Sequence, residues 1–64
     1  MKNLLRLLRK ERGWTQHELG KRLGISRQAV IAIENERFDP SLPLAMRLGR
    51  LFERRVEDIF LLGD

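Results

Sequence analysis

A chain of 64 residues has room for one domain, 1–64, with a core so thin that folding depends on close helix packing or a partner subunit. It contains no cysteine, which excludes disulfides and thiolate metal ligands, and its apolar runs are far shorter than the ~20 residues of a membrane span. The formal net charge of +4 is unevenly spread: residues 1–37 carry nine Lys or Arg against four acids, and residues 38–64 carry four against five. The N-terminus has no apolar stretch like that of a signal peptide, so the expectation is a soluble cytoplasmic protein without a membrane partner. A basic half gathers polyanions and holds them less well as salt rises, although Lys and Arg also serve simply to solvate helices.

Met1 to Gly13 reads as a first helix. Leu4, Leu5, Leu7 and Leu8 are too many apolar residues for one narrow stripe. Leu5 and Leu8 are assigned to the core, with Leu4 and Leu7 nearer the edge. Gly13 suits the helix end. Trp14, just ahead of the next cap, is read as packing against the core, the alternative being a ring free to stack on a base.

Thr15 and Glu18 form a T-x-x-E capping box that starts a second helix at Gln16, with Leu19 and Leu23 as its buried stripe. Gly24 stands where a residue tolerant of positive φ stops a helix, Ile25 plugs the corner, and Ser26 caps a third helix. On a wheel of about 100° per residue, Ala29, Val30 and Ile33 group on one side of that third helix, while Arg27, Gln28, Ile31, Ala32 and Asn35 make the opposite arc. Gly20, without a Cβ, lets the two helices cross closely. Two short helices around a glycine turn are a helix-turn-helix.

Pro40 disfavours helical geometry at Asp39, so Glu36 to Ser41 is a loop. Ser41 caps a fourth helix with Pro43 in its first turn, and Leu44, Leu48, Leu51 and Phe52 recur at helical spacing. Arg47, Arg50, Arg54 and Arg55 read as a solvated face. Val56 to Phe60 is expected to be a short fifth helix with Val56, Ile59 and Phe60 pointing inward. The apolar tail of Leu61 and Leu62 suggests an interface with a second copy, formed with Leu4 and Leu7; the alternative is a tail folded back on Leu4 and Leu7 of its own chain.

Gly20, Gly24, Ile25 and Val30 at their spacing, with Thr15-Gln16, Ile33-Glu34-Asn35, Leu8-Arg9, Asp39-Pro40-Ser41 and Glu57-Asp58-Ile59-Phe60, resemble the Cro/C1-type (XRE) family of DNA-binding repressors over nearly the whole chain. The resemblance implies an all-α, five-helix lambda-repressor-like domain that regulates transcription by binding double-stranded DNA as a homodimer, with the helix Arg27 to Asn35 in the major groove. It also implies an ion pair between Arg9 and Glu34. The pattern departs from the family at Glu36, where Gly or Asn is usual. An acid there stands close to a phosphate, with Arg37 beside it as compensating charge.

The chemistry of the outer arc fits base reading. Gln28 can pair bidentately with adenine, Arg27 with guanine, and Ile31 and Ala32 can touch thymine methyls. Gln16, Ser26, Asn35 and Arg37 are the expected phosphate or groove-edge contacts. No catalytic residue, metal ligand, cofactor or small-molecule ligand is expected: His17 is the sole histidine, and the acids are scattered without pairing. The competing use of such a domain is a protein-interaction or antitoxin module, because fold does not fix function.

Overall fold

The computed structural model describes residues 1–63. These form α1 (Leu5–Glu11), α2 (Gln16–Leu23), α3 (Arg27–Glu34) and α4 (Leu42–Phe52), then a 3-10 turn over Val56–Asp58. Two short strands, β1 (Lys2–Asn3) and β2 (Phe60–Leu61), pair antiparallel with Lys2 opposite Leu61 and Asn3 opposite Phe60.

Two expectations change here. The first helix starts at Leu5 instead of Met1, because the residues before it are held by the far end of the chain. The Leu4 N–H donates to the Ile59 carbonyl at 2.8 Å, and the Leu5 N–H donates to Asn3 Oδ1 at 3.1 Å. Asn3 also donates from Nδ2 to the Ile33 carbonyl at 2.8 Å, so one amide joins the N-terminus to the end of α3. The expected fifth helix is only the 3-10 turn, after which the chain extends into β2. Ile59 and Phe60 are buried as expected, and Val56 is half-buried.

The central pair forms from local signals. Thr15 Oγ1 accepts from the Glu18 N–H, and Glu18 Oε1 accepts from the Thr15 N–H, each at 3.0 Å, satisfying two amides that a helix start leaves free. The bond from the Thr15 N–H to the carboxylate, with the Thr15 hydroxyl as the next cause, lowers the Glu18 pKa. Gly24 takes φ +72° and ends α2, and the Ile25 N–H turns back to the Gly20 carbonyl at 2.9 Å. Ser26 Oγ accepts from the Ala29 N–H at 3.1 Å and starts α3. A Cβ on Gly20 would stand 2.8 Å from the Ile25 carbonyl oxygen, so the corner closes tightly because that position is bare.

The two helices bury Leu19, Leu23, Val30 and Ile33 against Leu5 and Leu8 of α1, and Leu44, Ala45, Leu48 and Phe52 of α4 close the other side. Trp14 packs on this core with its ring centroid 5.6 Å from that of Phe52, and the Arg22 guanidinium lies 4.1 Å from the Trp14 centroid. Arg47 does more than solvate α4: Nη1 donates to the Leu23 carbonyl at 2.8 Å and so caps the C-terminal end of α2. Ser41 caps α4 by accepting from the Leu44 N–H at 3.4 Å.

The tail folds back on its own chain through the β1–β2 pairing, yet Leu4, Leu7, Leu61 and Leu62 all remain exposed, Leu62 to 85%. Phe38, Leu42 and Met46 are also exposed, a second set that the helical periodicity did not single out. Gly20→Val is expected to lower stability by about 1–3 kcal/mol in urea unfolding, since the obstruction is backbone that cannot swing aside. Gly20→Ala should cost less, because alanine returns roughly 1 kcal/mol of helix propensity.

Candidate nucleic-acid interface

The centre of the site is a carboxylate. Glu34 ends α3, and its side chain is fully buried. Arg9 of α1, itself buried, grips it with Nε to Oε2 at 2.6 Å and Nη2 to Oε1 at 3.2 Å, and donates from Nη1 to the Trp14 carbonyl at 2.9 Å. Gln16 at the start of α2 donates from Nε2 to the same Oε1 at 3.2 Å, and Arg6 of α1 does so from Nε at 3.4 Å. Arg6 also donates from Nη2 to Asn35 Oδ1 at 2.7 Å. One carboxylate thus ties α1, the start of α2 and the end of α3 together. Burial pushes the Glu34 pKa up, but the hydrogen bonds from Arg9 and Gln16, the charge of Arg9 and the bond from Arg6 outweigh it, and the pKa is lowered overall.

Around this hub, α3 turns Val30 and Ile33 inward. Arg27 and Gln28 are exposed near its start, and Ile31 and Ala32 are half-exposed on the same arc. Asn35 and Arg37 are exposed just past its end, as is Ser26 just before it. The Ser26 oxygen is occupied by capping, which leaves its hydroxyl proton free to donate. Gln16 is half-buried and commits one amide N–H to Glu34, leaving the second. Asn35 commits its oxygen to Arg6 and keeps both N–H groups. The outer arc and its flanks therefore carry mostly donors, which suits phosphate oxygens and purine edges.

Glu36 adopts φ +63°, a left-handed conformation that glycine or asparagine takes at less cost. The family departure seen in the sequence is thus also a departure from the easiest backbone.

The sequence pattern of the helix-turn-helix family matches residues 5–59, from the first residue of α1 to the buried Ile59. The chain belongs to the Cro/C1-type helix-turn-helix family of DNA-binding transcriptional regulators. It is 47% identical over 64 residues to an uncharacterized HTH-type transcriptional regulator of Methanocaldococcus jannaschii, covering all of this chain and 97% of that protein. It is 42% identical over 64 residues to the HTH-type regulator YgzD of Bacillus subtilis, again covering all of this chain and 97% of that one. Among solved structures, the hypothetical transcription factor NHTF from Neisseria superposes with a TM-score of 0.75 at 28% identity, over 84% of this chain and 61% of that one. These relatives are named as regulators of transcription, not as enzymes.

Among the described residues, no group of His, Asp and Glu side chains is placed to hold a metal ion, and no helix is long and apolar enough to cross a membrane. The sequence pointed to Arg9 and Glu34 as a pair but missed Arg6 and Asn3. For Arg6 a signal was present, since it lies three residues before Arg9 and shares that side of the helix.

Arg9→Ala should cost about 3–5 kcal/mol in chemical unfolding because it strands a buried carboxylate, while Arg9→Met with Glu34→Leu should recover most of that loss. Because the folded Glu34 pKa lies below its unfolded value, its contribution is complete above the ordinary glutamate range and is lost as pH falls through the folded pKa. Stability of the wild type should accordingly decline in that acid range, and Glu34→Gln should lack that part of the decline.

Proposed function

We propose that this protein is a sequence-specific regulator, most simply a repressor, that inserts α3 into the DNA major groove as a homodimer on a palindromic operator. The observation that carries this is the division of α3 into two faces. Val30, Ile33 and Glu34 are locked into the fold, while Arg27, Gln28, Ile31 and Ala32 form a stiffly mounted outer arc. Arg27 and Gln28 have the donor and acceptor patterns of guanine and adenine readers, and Ile31 and Ala32 offer methyl contact. Gln16, Ser26, Asn35 and Arg37 set register on phosphates at the edges of the groove. Binding of this kind lowers transcription where the site overlaps a promoter, in the cytoplasm that holds the chromosome.

The case for two copies rests on size and on exposed surface. One domain, 31 Å in its longest extent, supplies a single reading helix, whereas successive half-sites lie about 34 Å apart on one DNA face. Leu4, Leu7, Leu61 and Leu62 provide apolar area suited to a second copy. The competing use as a protein-interaction or antitoxin module draws on exposed Phe38, Leu42 and Met46. Binding that ignores ionic strength would favour that use.

Selection of bound sites from random DNA tests specificity and symmetry together; paired half-sites at one-turn spacing are the expected result. On the selected site, Gln28→Ala should relax preference at one or two positions of each half-site. Arg37→Ala should weaken all sequences alike and reduce the salt slope by about 0.9. Leu62→Asp should leave the fold intact and weaken operator binding by separating the copies, and a wild type that sediments as a monomer at every concentration would refute the dimer.

A further inference from the structure

Arg9 alone already pairs the buried Glu34 charge, with a two-point grip at 2.6 and 3.2 Å, and Gln16 adds a third donor to Oε1. Arg6 reaches that oxygen last and at the longest distance, 3.4 Å, with its side chain 52% exposed. Its charge is therefore surplus to the ion pair. Its strong bond is instead the 2.7 Å contact from Nη2 to Asn35 Oδ1, which fixes the guanidinium beside the end of α3 while leaving Nη1 unbonded among the described residues.

That location is otherwise poor in positive charge. The last carbonyls of α3 point there, and Glu36 follows immediately. With Arg9 and Glu34 neutralising each other and the charge of Arg37 offset in sum by that of Glu36, Arg6 is what makes the net charge of the patch positive. The Nη1 of Arg6, the second amide N–H of Gln16 and the Nδ2 of Asn35 are donors from three different segments around one hub. Such a set matches the non-bridging oxygens of a phosphodiester.

We propose that Arg6 is a DNA-backbone anchor contributed by α1, positioned by Glu34 and Asn35, which fastens the duplex phosphate adjoining Gln16. This rests on the groove-binding function proposed above and adds a helix outside the helix-turn-helix to the contact. On α1, at about 100° per residue, Arg6, Arg9 and Lys10 lie to one side of the core stripe and Leu4 and Leu7 to the other. A change at Arg6 therefore leaves the apolar face untouched.

The test is fluorescence anisotropy of the whole chain on its selected site and on mixed genomic fragments, between about 50 and 200 mM salt. One phosphate contact carries a slope of about 0.9 in log salt, or about an eightfold loss of affinity at roughly 0.1 M. Arg6→Gln should show both, equally on the two DNAs, with a melting temperature close to wild type because Arg9 and Gln16 still hold Glu34. Arg6→Lys should keep the wild-type slope. An Arg6→Gln slope equal to wild type, in an assay where Arg37→Ala does lower it, overturns the anchor and leaves groove binding standing. So does an affinity loss that tracks a lowered melting temperature without a change of slope. A wild type with no salt-dependent preference for any duplex overturns the groove-binding function itself, and the anchor with it.

Discussion

The buried carboxylate of Glu34 is the constraint on which the rest of the molecule depends. A charge removed from water is tolerated only when its oxygens are filled, and here they are filled from α1 and α2 at once. The apolar core holds these helices together through a force that is itself non-directional, proportional to the area removed from water. The guanidinium of Arg9 cannot slide, because its fork meets two oxygens and the Trp14 carbonyl in fixed geometry. The hub therefore sets where the end of α3 lies, while the core sets that it is covered.

The same arrangement divides a helix of eight residues into a fixed face and an open one. Its inner side is anchored at the start by the Ser26 cap, in the middle by Val30 and Ile33, and at the end by Glu34 and the Asn3 bond to the Ile33 carbonyl. With so much of the helix fixed from its inner side, its outer residues are left available for the recognition proposed above. Gln16 and Asn35 each give one part of an amide to the hub, and the other part has no bond among the described residues.

In a domain this small, closing the chain matters as much as packing it. The β1–β2 ribbon joins the two ends, buries Phe60 and delivers Asn3 to α3. It also leaves Leu61 and Leu62 exposed, so pairing within the chain does not use up the apolar area proposed above for a second copy.

The sequence by itself determined the elements whose causes lie within a few residues. The T-x-x-E box, the Gly24 stop, the Ser26 and Ser41 caps and the spacing of Leu19, Leu23, Val30 and Ile33 act over one or two helical turns, and each is where the pattern put it. Arg9 with Glu34 was legible only through family resemblance, for nothing local couples two residues on different helices. Tertiary structure alone decided the rest. The start of α1 at Leu5 was set by a carbonyl near the other end of the chain, Arg47 became a cap for α2, and Arg6 was turned onto Asn35. Periodicity says which side of a helix avoids water. It carries no information about which distant donor arrives at which acceptor, because that depends on how the helices cross.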